Sequence, residues 1–313
     1  MKQFKHPFPF SDDNKRYHTW NYYLKHHYGQ KVAKVPLDAG FTCPNRDGTK
    51  GYGGCTYCSA AGSGDSIVTH GDLIDQFEKG YAIMARKWPN CKAMAYFQAY
   101  TNTYGPIEKL QASFVPFIER EDVCALAIAT RADCLNEEKI AFLCELAKKK
   151  EIWIELGLQT IHDATAEQIH RGHTFFEFQQ CVQALAPTPL KICVHLINSL
   201  PNESIDDMIE SAKVVGSMPI DAVKIHMLHI MNNTQIAMQY QQHPFPLLSM
   251  EEYVDVVIQQ LEVLPPSIII QRLTGDALAK DLIAPAWTLH KIQVLNDIDK
   301  AMAKRNTWQG KKL

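Results

Sequence analysis

The sequence lacks the long apolar run that a membrane span requires. Its most apolar stretches, such as Ser267 to Ile270 and Cys193 to Ile197, fall far short of the roughly 20 residues that cross a bilayer. A charged-then-apolar amino terminus with a small-residue cleavage site is also missing, which argues against export. No internal repeat, low-complexity tract or clear linker is visible, so solenoid and disordered architectures are excluded. An excess of either charge is also lacking: a formal net charge of -2 gives no global attraction to nucleic acid, and any such contact must be a local patch. The nine cysteines are odd in number and mostly scattered through apolar segments. They form no disulfide framework and indicate a reduced, cytoplasmic compartment.

What is present is ordinary for a globular protein, with 46% hydrophobic and 21% charged residues over 313 positions. From Lys31 onward strand-like and helix-like segments alternate, which predicts an α/β fold with a mostly parallel sheet or barrel. The expected strands are Val32 to Leu37, Ala93 to Gln98, Cys124 to Thr130, Ile152 to Leu158, Lys191 to Ile197 and Ala222 to Leu228, with a seventh from Ser267 to Arg272. Helical patterns lie near 73–87, 107–119, 137–150, 175–186, 205–215 and 249–264. Pro106 suits the first helical position, and capping-box patterns start at Thr165 with Gln168 and at Ser249 with Glu252.

Alternation sets Trp153, Glu155, Gly157 and Gln159 on one face of the fourth strand, Cys193 and His195 on one face of the fifth, and Lys224, His226 and Leu228 on one face of the sixth. Barrel interiors are usually branched and apolar, so a wall carrying Glu155, His195, Lys224 and His226 predicts either a ligand or an internal network of ion pairs. Chemistry in such folds sits at the carboxyl ends of the strands. Polar clusters fall there: QAYTNTY (Gln98 to Tyr104), Thr130 with Arg131 and Asp133, Gln159 with Thr160, and NSLPNE (Asn198 to Glu203).

The first strand leads into a Gly-rich loop, CPNRDGTKGYGGCTYC, in which Cys43, Cys55 and Cys58 have the spacing C-x11-C-x2-C. Three thiolates can hold three irons of a cubane cluster and leave the fourth iron open for chemistry. A zinc site completed by a histidine such as His70 is the competing reading of the spacing. The other six cysteines read as small buried hydrophobes, with Cys193 on the inward parity of its strand.

The ordered set CPNRDGT, GGCTYC, YFQAYTNTY, TRADC, ELGLQT, HRGH, HLINSLP, VKIHMLHI and RLTGD resembles radical S-adenosylmethionine (SAM) enzymes of the YtqA/YhcC (MnmL-type) group, which are similar to the radical SAM domain of the Elongator catalytic subunit. The resemblance spans nearly the whole chain. It implies a radical SAM partial (β/α)6 barrel over residues 31–240, flanked by an aromatic and basic extension over 1–30 and a carboxyl-terminal extension over 241–313. It further implies that Cys43, Cys55 and Cys58 ligate a [4Fe-4S] cluster whose unique iron binds SAM, with Tyr57 near the adenine. Thr101, Asn102 and Thr103, with Gln98 at their edge, match the position that binds the SAM amino group in related enzymes. Arg131, Asp133, Glu155, Gln159 and His195 are the remaining candidate SAM contacts. Departures from the common pattern are Ala132, NSLPNE and Asn233, which bear on loop geometry more than on the cluster.

By the same resemblance the expected reaction is reductive cleavage of SAM to a 5'-deoxyadenosyl radical. A flavodoxin- or ferredoxin-type electron donor is required, the expected substrate is the carbon-5 side chain of a wobble uridine in tRNA, and a further expected partner is a methyltransferase acting on the product. Acetyl-CoA chemistry is not expected from the residues after strand six. The amino-terminal aromatics beside lysines, and the tail around Trp308, could contact RNA by stacking and phosphate pairing, or simply pack on the core. Alternatives to tRNA are a small metabolite, a protein side chain, or a non-catalytic zinc or cluster protein that binds RNA. The roles of Cys193, Lys224, His226 and His229 stay open.

Overall fold

The computed structural model describes residues 6–59, 62, 67 and 71–313. Its strands are β1 Val32–Leu37, β2 Lys92–Phe97, β3 Val123–Thr130, β4 Glu151–Gln159, β5 Lys191–Asn198, β6 Ala222–Met227, β7 Ile230–Met231, β8 Ile269–Arg272 and β9 Leu282–Ala284. Its helices are α1 Trp20–Tyr28, α2 Leu73–Lys87, α3 Ile107–Ile118, α4 Glu137–Ala147, α5 Asp163–Gln168, α6 Phe175–Leu185, α7 Ile205–Gly216, α8 Gln235–Gln242, α9 Met250–Val263 and α10 Lys291–Lys304. One sheet follows chain order as β1-β2-β3-β4-β5-β6-β8, and β7 pairs with β9 in a second. Every predicted strand is present to within a residue or two, because each is a short β-branched or aromatic run bounded by turn residues. Among the described residues no helix is long and apolar enough to cross a membrane.

The chain divides into two compact units. The unit of residues 24–157 and 172–193 holds β1 to β3 and most of β4. Parallel registry aligns Val35 with Ala95, Ala95 with Leu126, and Leu126 with Ile152, and all four are fully buried. Parallel strands are covered on both faces, which is why β2 and β3 read as continuous apolar runs. Phe97 meets the rings of Phe114 and Phe117 edge-on at 4.8 and 5.5 Å, fixing α3 against β2. Pro106 is the cap residue immediately before α3, one position earlier than the sequence suggests.

The unit of residues 1–23, 158–171 and 194–313 contains β6 paired with β8, the β7–β9 pair and α7 to α10. Asn198, ending β5, and Gln260 of α9 exchange reciprocal amide hydrogen bonds of 2.9 Å, and Gln260 also donates to the Met208 carbonyl at 2.9 Å. The amino-terminal segment is packed: Phe8 and Tyr17 are buried, Phe10 stacks on His18 at 4.6 Å, and Ile270 of β8 donates its N–H to the His18 carbonyl at 2.7 Å. The tail packs too, with Lys312 paired to Glu262 at 2.5 Å and Lys311 over Trp308 at 4.4 Å. These aromatics and cations therefore have protein partners, while Lys2, Phe4 and Lys5 lie outside the described residues.

One helix start differs from the sequence reading. Thr165 is not a cap but lies inside α5, whose cap residue is His162. Arg171 donates to the carbonyls of Leu158 and Thr160 at 2.8 and 2.6 Å and to the Asp163 carboxylate at 3.1 Å, so the chain turns into the helix early, at a cap on His162 and not on Thr165. Complete capping boxes occur at Ser249 with Glu252, as read, and also at Thr174 with Glu177 and Ser204 with Asp207.

Candidate active site

The cysteine loop folds on itself through backbone bonds. The N–H of Arg46 donates to the Cys43 carbonyl at 2.8 Å, Lys50 to Pro44 at 2.8 Å, and Gly54 to Asn45 at 2.9 Å. Asp47 and Tyr52 pair across the small turn, and Gly53 and Gly54 take left-handed φ values of 80° and 85° that other residues avoid. Cys55 is thereby returned to Asn45, and the Cys58 N–H closes a turn on the Cys55 carbonyl at 3.0 Å.

All three loop cysteines are half-buried free thiols. A hydrogen bond from Cys58 holds Cys55 below the ordinary thiol range, against the opposing cost of burial and with help from Arg131, Tyr57 and Asn45. Cys58, as the donor beside that charge, is pushed well up, first by this bond and then by burial. The Asn45 side-chain N–H points at Cys55 Sγ from 3.7 Å, and Asn45 itself is 4% exposed. Arg46 anchors the loop to the Ser59 carbonyl and lies over the Tyr100 ring at 5.2 Å.

Beside the thiols runs an ion-pair chain that is buried at Arg131 and reaches the surface at Lys50 and Glu177. Arg131 grips Asp133 with two bonds of 2.9 Å, Lys50 meets Asp133 at 2.7 Å, and Glu177 lies 3.7 Å from Lys50. Burial works to raise the Asp133 carboxyl, yet Arg131, then Lys50 and His173, outweigh it and hold it down to about 2. Arg131 is raised in turn: burial opposes its charge, but Asp133 and the nearby Cys43 and Cys55 favour it. A permanent cation is thus fixed beside sulfur atoms that carry negative charge as ligands.

The other sequence candidates differ in what their side chains do. Asn102 is fully buried, and its amide donates to the carbonyls of Phe97, Ala99 and Ala129 at 3.0 to 3.1 Å. Thr103 Oγ1 is bonded to Thr130 Oγ1 at 2.6 Å and to the Cys134 carbonyl at 2.8 Å. Thr101 is 2% exposed and donates its N–H to the Thr42 carbonyl at 3.2 Å. Gln98 is half-buried at the end of β2, with its N–H on the Leu37 carbonyl at 3.3 Å. The Tyr57 phenol is raised well above its usual range by burial and then by Cys55 and Cys58, so it stays protonated against the sulfur pair. Glu155 is 1% exposed and bonded to Lys34 Nζ at 2.7 Å, so this inward carboxylate has the internal ion-pair partner that alternation left as one of two readings.

Two candidates lie in the other unit. Gln159 has a left-handed φ of 65° in the strand end gripped by Arg171, and His195 has its ring 5.6 Å from that of His226. Of the remaining cysteines, Cys91, Cys134, Cys181 and Cys193 are buried and Cys124 and Cys144 half-buried.

Sequence reading passed over Asn45, Lys50, Gly172, His173 and Glu177. A Cβ on Gly172, which has a φ of 77°, would lie 2.2 Å from Asn45 Oδ1, so this glycine makes room for the amide that faces Cys55. The signal was present in CPNRDG and HRGH, but only folding brings the two motifs together.

The donor set fits an iron–sulfur cluster. Three thiols come from one loop, and a cubane further needs a cation nearby and an N–H group toward sulfur, as Arg131 and Asn45 supply. The alternative ligand His70 lies outside the described residues.

Family comparison defines the class of protein. The Radical SAM superfamily model matches residues 43–215, and a Radical_SAM C-terminal domain model matches 220–304. The chain belongs to the radical SAM superfamily: it is an α/β enzyme with that family's partial-barrel fold, and its cofactors are a [4Fe-4S] cluster and SAM. Its relatives place it more narrowly. The Bacillus subtilis protein YtqA is 45% identical over 306 residues, covering 97% of this chain and 95% of that protein. Escherichia coli YhcC is 33% identical over 278 residues, covering 88% and 89%. A Methanocaldococcus infernus tRNA uridine(34) acetyltransferase is 26% identical over 155 residues, 49% of this chain and 28% of that protein. The solved structure of an amino-terminally truncated archaeal Elp3 from the same organism matches with a TM-score of 0.66 at 18% identity, covering 90% of this chain and 64% of that one.

Proposed function

We propose that this radical SAM enzyme acts on the carbon-5 side chain of the wobble uridine of tRNA. The observation that carries the substrate is the likeness of half the chain to a protein named tRNA uridine(34) acetyltransferase. In this reading residues 31–240 form the catalytic core, and the flanking extensions over 1–30 and 241–313 pack on it. Cys43, Cys55 and Cys58 hold the cluster. When bound, the cluster and SAM together supply a 5'-deoxyadenosyl radical by one-electron reductive cleavage.

This chain's own residues orient and shield that chemistry. Arg131, kept charged by Asp133, offsets the negative sulfurs, and Asn45 donates an N–H to Cys55. Tyr57 sits toward the adenine. Gln98, Thr101, Asn102 and Thr103 shape the loop that receives the methionyl amine, with Asn102 and Thr103 acting through the backbone they pin. Glu155, Gln159 and His195 contact the ribose or methionyl end. A flavodoxin- or ferredoxin-type donor supplies the electron, and a methyltransferase can act on the product.

Two measurements test this. Reduced, reconstituted protein should release 5'-deoxyadenosine from SAM, and tRNA from a deletion strain should show altered wobble-uridine nucleosides by mass spectrometry. An unchanged nucleoside profile would remove tRNA as the substrate while leaving the enzyme class intact.

A further inference from the structure

The motifs VKIHMLHI and RLTGD are not used by the cysteine-loop site. They fall at the ends of β6 and β8, where α/β folds of this kind place ligand-binding groups. Nε2 of His226 and Nε2 of His229 are both buried there without a hydrogen-bond partner. Buried polar atoms are normally satisfied, so two such nitrogens three residues apart call for an explanation.

Their surroundings say which ligand would satisfy them. The groups that act on His226 are Arg272, His195, Lys224 and His229, every one a cation or an imidazole. Lys224 is 6% exposed, and the His195 ring lies 5.6 Å from that of His226. His229 has a single carboxylate acting on it, Asp276, which is already paired with Arg272 at 3.1 Å and Lys291 at 2.5 Å. Burial, and then the neighbouring cations, hold His226 well below the usual histidine range. His229 is lowered to about 4, mainly by burial, with Asp276 opposing and Arg272 adding. Both rings are therefore neutral near pH 7, and in the Nε2–H tautomer each is a donor facing no acceptor.

A metal ion does not suit this arrangement. Cations surround the two rings, and among the described residues they belong to no three-ligand group within 4.8 Å. An anion suits it. The fold also shapes itself to one ring: a Cβ on Gly275 would lie 2.4 Å from His229 Cε1, so the turn after β8 can accept only a glycine while the imidazole stays where it is.

We propose that the ends of β5, β6 and β8 form an anion subsite, in which His226 and His229 donate Nε2–H to the oxygens of a phosphate or carboxylate group while Lys224 and Arg272 supply the positive field. Its assignment to the substrate rests on the function proposed above, for which RNA offers phosphodiester oxygens.

The test is an imidazole NMR titration of the full chain with inorganic phosphate, acetate, SAM and a short uridine-containing oligonucleotide, against chloride at matched ionic strength. Phosphate should shift the His226 and His229 signals saturably. His229→Ala and Gly275→Ala should each weaken phosphate binding about 10-fold, the effect of losing one hydrogen bond to a charged group, whereas His229→Gln should retain much of it. Competition by the oligonucleotide supports the subsite with an RNA source. Competition by acetate but not by the oligonucleotide supports the subsite and counts against tRNA. Signals that move with no anion overturn the proposal. So does displacement of phosphate by SAM, which would make this the place of the cofactor's own carboxylate. Cleavage of SAM by the wild-type protein is scored separately, so failure of the subsite and failure of the enzyme class remain distinguishable.

Discussion

The cysteine loop and the imidazole cluster of β6 and β8 solve opposite problems. Around the thiols the charged groups are already matched, Arg131 with Asp133 and Asp133 with Lys50, and Asn45 turns an N–H toward Cys55. Around His226 and His229 positive groups outnumber negative ones, and two nitrogens are left over. The first region is braced in advance because three sulfurs that carry negative charge as ligands repel one another, and the paired cation beside them offsets that repulsion. The second keeps donors in reserve, and reserve capacity in a buried place is the mark of a group that meets its partner only on binding.

The largest effect is expected at the sulfur ligands. Cys58→Ala should abolish both iron incorporation and SAM cleavage, read by iron and sulfide content and by 5'-deoxyadenosine release. Retained activity would contradict the ligand assignment.

Next in size is the brace behind them. Asp133→Asn leaves Arg131 buried with half its partner removed, and should cost about 3 kcal/mol in urea unfolding at neutral pH. Its carboxyl is lowered on folding from about 3.9 to about 2, so its stabilisation is fully present above pH 4. That contribution is lost as pH falls through 2. The gap between wild type and Asp133→Asn should therefore narrow between pH 4 and pH 2. A gap independent of pH would show that the carboxylate charge is not what Arg131 needs.

A smaller change is expected one strand away. Glu155→Gln removes the charge that faces Lys34 but touches no sulfur, so iron content should stay normal while SAM binding weakens about 10-fold, measured by calorimetry. Loss of iron there would mean that the residue belongs to the cluster's support. Smallest is Asn45→Ala. Losing one N–H bond of about 1 kcal/mol to a cluster sulfur should lower the reduction potential by about 40 mV in a titration followed by electron paramagnetic resonance. An unchanged potential would make the amide a packing element only.

Much of this was legible before folding. The seven parallel strands announce themselves as short apolar runs between turn residues, and the spacing of Cys43, Cys55 and Cys58 marks them as metal-ligand candidates, with cluster and zinc both open until the neighbouring motifs are read. Local chemistry that depends on a few adjacent residues was read well, as at the Ser249 capping box. It was misread where a distant side chain intervenes, as at Thr165, where Arg171 resets the helix start. Asn102 shows a second kind of limit. An asparagine in a strand-end loop reads as a ligand contact, yet its amide is turned onto three backbone carbonyls.

The alternation of strands and helices and the family were legible along the chain, because periodicity and short ordered motifs survive in one dimension. Folding alone shows that Gly172 opens space for Asn45 beside Cys55, that Glu155 faces Lys34, and that the Nε2 atoms of His226 and His229 are buried among cations. Each of those depends on which groups from remote segments meet, and how much water is left between them, and neither quantity is written along the chain.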